Sequence, residues 1–415
     1  MNHCSKSSEE NPGKWSEVFV NGILVLFTMS IPMMPLFTIY GFYLLGLFTF
    51  LLFLLISIRK KIFLTTFDTL YFLFIFFNLL SFIWSVSGHI ISTLYEIVYF
   101  VLVFSYSHLL YYKYPNMDSV IHFWSKWYLV GTIGVSCACI VFERNTLGFD
   151  RLGTYLFAEP FGTYMMYSYS ICLGLFICIY KIFQKKRVYL IPLFFLLICC
   201  VLNGSRKVLF GLFVFSAITY FIRHRKQPLK LLFFGGSMVV VGIVIYYFSM
   251  ENEALYNTFG YRIEAYYNYL ESGSGDGSAE ERSKMVEYGI KYFSDSPIVG
   301  WGADSFIYLF TQDYGVKLYS HNNCVELLCN VGLIGFFIYY FIYIRLIFEF
   351  NSKYRYKYYD FFYPGIITLL VLDYWTISYF RIQFILFLSL ASLYITYCGR
   401  SAICGIISKN IRKKV

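Results

Sequence analysis

Long apolar runs separated by short polar segments extend along almost the whole chain. Many of these runs reach about 20 residues, the length of helix that crosses the hydrocarbon core of a bilayer. They predict about twelve membrane-spanning helices, near residues 18–38, 40–58, 62–84, 91–112, 120–142, 161–180, 188–203, 207–222, 231–249, 322–344, 361–379 and 382–398. The pattern therefore predicts an all-α, polytopic membrane protein.

One polar segment, residues 250–320, is far longer than the other connections. It divides the chain into an N-terminal transmembrane bundle of about nine spans (residues 1–249), the loop itself, and C-terminal spans with a basic tail (residues 321–415). Most lysines and arginines fall in segments that share one side of the membrane. Because basic residues concentrate on the cytoplasmic side, both termini are predicted to be cytoplasmic and the large loop extracytoplasmic.

The composition agrees with lipid as the main solvent. The 415 residues are 58% hydrophobic and only 14% charged, whereas a soluble globular protein has about 25% charged residues. The polar N-terminal segment lacks the apolar core of a signal peptide, so the first span is expected to be retained. The net charge of +10 follows from topology and does not predict nucleic-acid binding, and most of the 11 cysteines lie in apolar runs as small core residues.

The large loop contains one clear helical pattern. Residues 279–293 place Met285, Gly289, Tyr292 and Phe293 on one face at helical spacing, and Pro297 follows the end of this helix. A glycine- and serine-rich link precedes it. Since long loops with their own structure are usually functional, we expect the functional site on this side of the membrane.

The polar end of the loop carries the strongest candidate residue. His321 precedes an apolar span, and Ser320 is the predicted N-cap, so that His321 falls in the first turn of the helix. Asn322, Asn323 and Glu326 follow. An ionisable residue that enters a span is a functional candidate. The alternative is an interfacial histidine and a glutamate paired inside the bundle.

Three arginines outside the cytoplasmic segments are candidates for binding an anion. Arg206, with Lys207 beside it, lies between two spans at the predicted outer boundary, and Arg282 opens the loop helix, where a cation opposes the helix dipole. Arg151 lies in the other outer loop, residues 143–160. Guanidinium groups bind phosphate through paired hydrogen bonds. The alternatives are a snorkelling cation for Arg206 and solvated charges for Arg282 and Arg151.

Other ionisable groups give weaker signals. Asp68, Glu96 and Asp373 lie within predicted spans, and His89 lies near the outer face as a second candidate base. Pairing across the bundle accounts for the three acids as well as a proton relay does. The sequence has no Walker loop, dinucleotide fingerprint, zinc spacing or nucleophile elbow, which argues against nucleotide-driven transport and cofactor chemistry.

Four segments form an ordered set of motifs: DRLGTYLFAEPFGTY, NGSRKVLF, ERSKMVEYGIKYFSDSPIVGWGADSF and SHNNCVELLCNVGLIGFF. Together they resemble the motifs of the O-antigen polymerase and O-antigen ligase (Wzy-type) superfamily. The last two segments carry that family's turn prolines and glycines, here Pro297, Gly300, Gly302, Gly332 and Gly335. The chain departs from the pattern at Asp304, where a third glycine is common, and at Lys207, which follows the Ser-Arg pair.

The resemblance implies a multi-pass glycosyltransferase that acts on undecaprenyl-diphosphate-linked oligosaccharide at the outer face of a bacterial cytoplasmic (inner) membrane. It makes His321 the expected catalytic base and Arg282 and Arg206 the catalytic arginines that stabilise the leaving diphosphate. The substrate-binding candidates are Arg151, Lys207, Asn322, Asn323, Glu326, Gly300, Trp301 and Gly302. The implied reaction inverts the anomeric configuration and uses no cofactor or metal. Membrane lipid, a flippase and a chain-length regulator of the same pathway are the candidate partners.

Four functions remain open from the sequence. A polymerase that joins oligosaccharide repeats into capsule, exopolysaccharide or O-antigen is the leading interpretation. A ligase that moves the glycan to lipid A core or to protein needs the same donor chemistry. A flippase or other transporter would be expected to have paired inverted halves, which the sequence does not display, and a structural membrane subunit would not need the charged residues.

Overall fold

The computed structural model describes residues 14–33, 39–57, 62–89, 91–147, 150–154, 164–272, 277–351 and 357–412. Within these ranges it is built from helices and contains no β-strand, so the all-α prediction is confirmed. The helices are α1 (Lys14–Met33), α2 (Ile39–Ser57), α3 (Thr66–Ser81), α4 (Ile91–Lys113), α5 (Met117–Phe142), α6 (Tyr164–Phe183), α7 (Leu190–Leu202), α8 (Arg206–His224), α9 (Pro228–Glu251), α10 (Glu253–Leu255), α11 (Tyr261–Ser272), α12 (Gly277–Asp295), α13 (Ser305–Tyr314), α14 (Asn323–Asn351), α15 (Tyr359–Leu372) and α16 (Ile382–Arg412).

In the part of the chain that the structure describes, seven helical segments are long and apolar enough to cross a membrane. They are Thr66–Trp84, Ile91–Lys113, Met117–Phe142, Arg206–His224, Pro228–Glu251, Asn323–Asn351 and Ile382–Gly399. Shorter apolar helices occupy the other predicted positions in α1, α2, α6, α7 and α15. The protein is therefore a multi-pass membrane protein, while the twelve-span count, the cytoplasmic termini and the division at residues 249 and 320 stay predictions.

The membrane helices pack around a core rich in aromatic side chains. Helix α1 lies against α5, α3 against α14, and α8 against α15. Trp124, Tyr128 and Tyr106 are fully buried between them. In contrast, the apolar stretch of α9 has no buried residue. An apolar helix without protein cover in a membrane protein is expected to face the lipid.

The loop helix predicted at residues 279–293 is present as α12, and it packs on the rest of the protein through most of the predicted face, although Phe293 is only half-buried. Met285 and Tyr292 are buried with Phe306 of α13 and Val325 of α14. A Cβ atom on Gly289 would lie 2.1 Å from the side chain of Val325. The loop is thus attached to the start of α14, the helix that follows His321.

Helix α14 is broken at Gly332, whose backbone has φ +59° and ψ −164°. The turn at residues 297–302 fills the break. The carbonyls of Cys329 and Asn330 accept hydrogen bonds from the N–H groups of Trp301 and Gly302, both at 2.8 Å. On the other side of the break, the N–H groups of Leu333 and Ile334 donate to the carbonyls of Pro297 and Ile298, at 2.9 and 3.2 Å.

This arrangement explains the spacing of the glycines in the two turn motifs. An unpaired backbone group at membrane depth costs several kcal/mol, so a broken helix needs another segment of backbone to pair with it. Gly300 has φ +67° and Gly302 has φ +91°, a region that glycine adopts without steric cost. A Cβ atom on Gly332 would lie 2.5 Å from the backbone nitrogen of Gly300. The turn and the helix break therefore approach each other at two glycines, where there is no room for a side chain.

Candidate active site

His321 lies immediately before α14 and not in its first turn, which corrects the predicted helix start. The side chain of Asn322 accepts a hydrogen bond from the N–H of Val325 at 3.1 Å, so Asn322 is the capping residue in place of Ser320. Serine and asparagine are about equally good N-caps, and the sequence alone does not choose between them. His321 has φ +55° and lies against Tyr319, with ring centroids 4.1 Å apart.

Glu326 fixes the backbone next to His321. Its carboxylate is buried and accepts a hydrogen bond from the N–H of Ser320 at 2.9 Å. The hydroxyl of Ser320 in turn donates to the carbonyl of Asn322 at 2.8 Å. The chain on both sides of His321 is therefore held by hydrogen bonds, which support its left-handed conformation.

Cations from several separate segments meet around His321. Burial, together with the positive charges of Arg282, Lys207 and Arg381, lowers the pKa of His321 to about 3, so the ring is neutral at physiological pH. Arg381, Arg282 and Arg151 also act electrostatically on Lys207. The charges of Arg282, Lys207 and Arg381 thus act on His321, and that of Arg151 acts on Lys207. Of these cations, Arg381 is the one that the sequence analysis did not name.

Lys207 and Arg282 have different surroundings. The ammonium group of Lys207 donates hydrogen bonds to the hydroxyls of Tyr169 (3.2 Å) and Thr376 (3.4 Å), whereas Arg282 is exposed on α12. Within the described part of the chain, neither Lys207 nor Arg282 nor Arg381 forms an ion pair with a carboxylate. Uncompensated positive charge in a partly buried setting attracts an anion.

Arg206 is the first residue of α8 and is half-buried beside Lys207. The catalytic role of Arg206 stays a prediction. Arg381 was missed by the sequence analysis. A signal was available, because Arg381 occupies a tight connection between two spans on the predicted outer side, as Arg206 does.

Asn323 ties the start of α14 to the turn between α15 and α16. Its side-chain oxygen accepts a hydrogen bond from the N–H of Ser378 at 2.9 Å. Its side-chain nitrogen donates to the hydroxyl of Tyr340 at 3.1 Å and to Asp373 at 3.3 Å, and its own N–H donates to the carbonyl of Asp373 at 2.8 Å. Because this turn carries Thr376, the partner of Lys207, Asn323 positions groups on the far side of the site.

Replacing Asn323 by alanine is expected to lower the thermal unfolding midpoint and to reduce activity together. The change leaves the buried Asp373 without one partner and removes the bond to the Ser378 N–H, and each buried unsatisfied group costs about 1–3 kcal/mol. Thermal unfolding of the purified protein measures the effect. Asn145→Ala, at an exposed turn position, is the control, and equal midpoints for the two variants would contradict the positioning role.

The turn residues and the other acids have structural partners. Gly300, Trp301 and Gly302 hold the break in α14, and the indole N–H of Trp301 donates to the carbonyl of Tyr292 at 2.8 Å. Contact of these residues, and of Asn322, Asn323 and Glu326, with substrate stays a prediction. Asp68 forms a capping box with Thr65, and Glu96 accepts two hydrogen bonds from Asn78. In the described ranges, no group of three or more His, Cys, Asp or Glu side chains could hold a metal ion.

Comparison with known proteins points to one family. Residues 191–340 match the Wzy_C family model, described as O-antigen ligase. The matched segment contains Arg206, Lys207, Arg282 and His321, whereas Arg151 and Arg381 lie outside it. No curated protein matches the chain. The resemblance found in the sequence motifs is confirmed by this match.

Proposed function

We propose, on the premise that residues 191–340 form a Wzy_C domain of the O-antigen polymerase and ligase superfamily, that the protein is a membrane polysaccharide polymerase. It joins undecaprenyl-diphosphate-linked oligosaccharide repeats into capsule, exopolysaccharide or O-antigen at the outer face of the bacterial cytoplasmic membrane. The observation that carries the proposal is the convergence of Lys207, Arg282 and Arg381 on a neutral His321, since a diphosphate leaving group requires positive charge and the acceptor hydroxyl requires a base.

The reaction is a direct displacement at the anomeric carbon of the donor. The acceptor hydroxyl oxygen forms the new bond to C1, while the bond between C1 and the diphosphate oxygen breaks and the electron pair leaves with the diphosphate. The hydroxyl proton passes to His321. The cations stabilise the charge that grows on the leaving group, which is where electrostatic catalysis has its largest effect. Attack from the opposite side inverts the anomeric configuration.

Binding of the donor also activates the base. In the free protein, burial and nearby cations lower the pKa of His321 to about 3, which makes it a weak base. The negative diphosphate offsets those cations, and an opposite charge nearby raises the pKa of a histidine. His321 therefore becomes basic enough to take a proton only once the donor is in place.

This mechanism predicts two different pH profiles. A protonated His321 cannot accept a proton, so activity falls as pH falls through its pKa. For kcat/KM, which reports the free enzyme, we expect no loss down to about pH 5, because the pKa is lowered. For kcat, which reports the donor complex, the loss should begin at higher pH.

Substitution of Arg282 tests the assignment of His321 as the base. Arg282→Gln removes a positive charge, raises the pKa of His321, and should move the acid limb of kcat/KM to higher pH. Lys284→Gln removes an exposed charge from the same helix and should leave the profile unchanged. Steady-state rates from about pH 3 to pH 8 measure both, because the acid limb of the wild type lies near the pKa of about 3. Identical profiles for the two variants would reject His321 as the base.

A reconstituted reaction tests the function itself. Purified protein in liposomes is supplied with lipid-diphosphate-linked repeat units, without nucleotide, and the products are resolved by size. A ladder of repeats supports the polymerase. The family description as O-antigen ligase favours one alternative, a ligase, which would give no ladder but would transfer the glycan to added lipid A core or protein. Movement of the lipid-linked sugar across the bilayer without glycosyl transfer would mean that the protein is a flippase and not an enzyme.

A further inference from the structure

We infer that Arg381 binds the diphosphate of the lipid-linked donor. This rests on the proposed function for its ligand. Arg381 lies in the turn between α15 and α16, beyond the family-matched residues 191–340. It would therefore be a donor-binding group that the superfamily match does not cover.

The side chain of Arg381 is held in place but leaves hydrogen-bonding capacity unused. Its guanidinium carbon lies 4.5 Å from the ring centroid of Phe380 and 5.8 Å from that of Tyr169. Its backbone N–H donates to the carbonyl of Ser378 at 2.9 Å. The side-chain Nε is buried, and within the described residues it has no hydrogen-bond partner. A buried donor without a partner destabilises the fold, so a residue that keeps one is a candidate for binding a ligand.

The surroundings of Arg381 define the charge of that ligand. Arg381 acts electrostatically on both His321 and Lys207, and it shares the aromatic ring of Tyr169 with Lys207, whose ammonium group lies 5.0 Å from the ring centroid. Two cations on one aromatic ring repel each other unless an anion lies between them or beside them. A diphosphate has two charged phosphates, and a guanidinium with a neighbouring ammonium is suited to them.

A snorkelling arginine at the end of a span would look different. Such a side chain extends to the interface and leaves its polar atoms in water. Arg381 instead is half-buried, stacks on aromatic rings and buries Nε. The turn that carries it is fixed to the start of α14 through Asn323. Both features hold the guanidinium in a defined position, from which its charge acts on His321.

Binding of a polyprenyl diphosphate probe tests the inference. Full-length protein in phosphatidylcholine nanodiscs is titrated with geranylgeranyl diphosphate, inorganic pyrophosphate and geranylgeraniol, which has no phosphate. We expect Arg381→Gln to weaken geranylgeranyl diphosphate binding by about 10-fold to 100-fold, the range of one charge-assisted hydrogen bond. Arg381→Lys should recover part of the affinity, and geranylgeraniol binding should not change.

The control is the variant Arg144→Gln. Arg144 is exposed and is not one of the cations that act on His321, so this variant should bind all three probes as the wild type does. Suppose that the wild type prefers geranylgeranyl diphosphate to geranylgeraniol, and that Arg381→Gln binds both probes as tightly as the wild type does. In that case the inference fails and the proposed function stands. If the wild type has no such preference, the proposed function fails as well. Equal weakening of all three probes would mean a structural role and would also overturn the inference. If Arg381→Gln lowers the unfolding midpoint, Arg381→Lys decides, because intermediate diphosphate affinity supports the inference and wild-type affinity rejects it.

Discussion

Replacing His321 by alanine is expected to lower the rate of glycosyl transfer by about 100-fold to 10,000-fold, the usual contribution of a general base. The affinity for a polyprenyl diphosphate should rise or stay the same, because the cations of Lys207, Arg282 and Arg381 that lie around His321 remain. Removal of the base thus separates the chemical step from donor binding. Single-turnover rates with lipid-diphosphate-linked repeats, together with binding of geranylgeranyl diphosphate, measure the two effects on the same sample.

The matched control is His89→Ala. His89 is exposed near α4 and is the other histidine that the sequence offers as a base on the outer side. We expect its variant to retain activity within about two-fold, since surface substitutions are usually nearly neutral. A large loss with His89→Ala and none with His321→Ala would reverse the assignment of the base. A loss of diphosphate affinity in His321→Ala would instead make His321 a binding group.

Replacing Gly332 by alanine is expected to destabilise the protein by about 2–6 kcal/mol. A non-glycine residue with positive φ and with ψ near 180° costs about 1–3 kcal/mol, and Gly332 has φ +59° and ψ −164°. The added Cβ would also lie 2.5 Å from the backbone of both Gly300 and Ile298. These are main-chain atoms that cannot rotate away, and overpacking of this kind costs about 1–3 kcal/mol. The turn would separate from the helix break and expose unpaired backbone groups.

Gly242→Ala is the control for this substitution. Gly242 lies within α9, and a Cβ atom there would have no neighbour within 4 Å. Alanine is the better helix former by about 1 kcal/mol, so the control should be neutral or slightly stabilising. Thermal and detergent unfolding of the two variants measure the difference. If Gly332→Ala is as stable as Gly242→Ala, the pairing of the turn with the broken helix does not support the fold.

The membrane helices and the loop helix could be predicted because their signals are local. Length and hydropathy decide where a membrane helix lies, and the spacing of Met285, Gly289 and Tyr292 predicts the buried face of α12, which the structure confirms. The clustering of Arg151, Lys207, Arg282 and His321 followed from the order of the motifs and not from any contact visible in the sequence. Local pattern thus predicted the helices, while the roles that the motif order assigns to the site residues stay predictions.

The remaining features depend on residues that are distant along the chain. The break at Gly332 exists because the turn at residues 297–302 supplies the missing hydrogen bonds, and no periodicity within α14 indicates it. The N-cap of α14 is Asn322 and not the predicted Ser320, because the hydroxyl of Ser320 donates a hydrogen bond to the carbonyl of Asn322. Arg381 occupies the same kind of connection between two spans as Arg206, but its electrostatic effect on His321 depends on the hydrogen bond that joins the C-terminal turn to Asn323.

The absence of acidic partners for Lys207, Arg282 and Arg381 among the described residues has a consequence for turnover. In the proposed reaction, the spent carrier is a diphosphate monoester and carries more negative charge than the diester donor from which it came. The same cations should therefore hold the spent lipid more tightly than the donor. We expect product inhibition by undecaprenyl diphosphate, with its departure into the bilayer limiting the rate of successive additions.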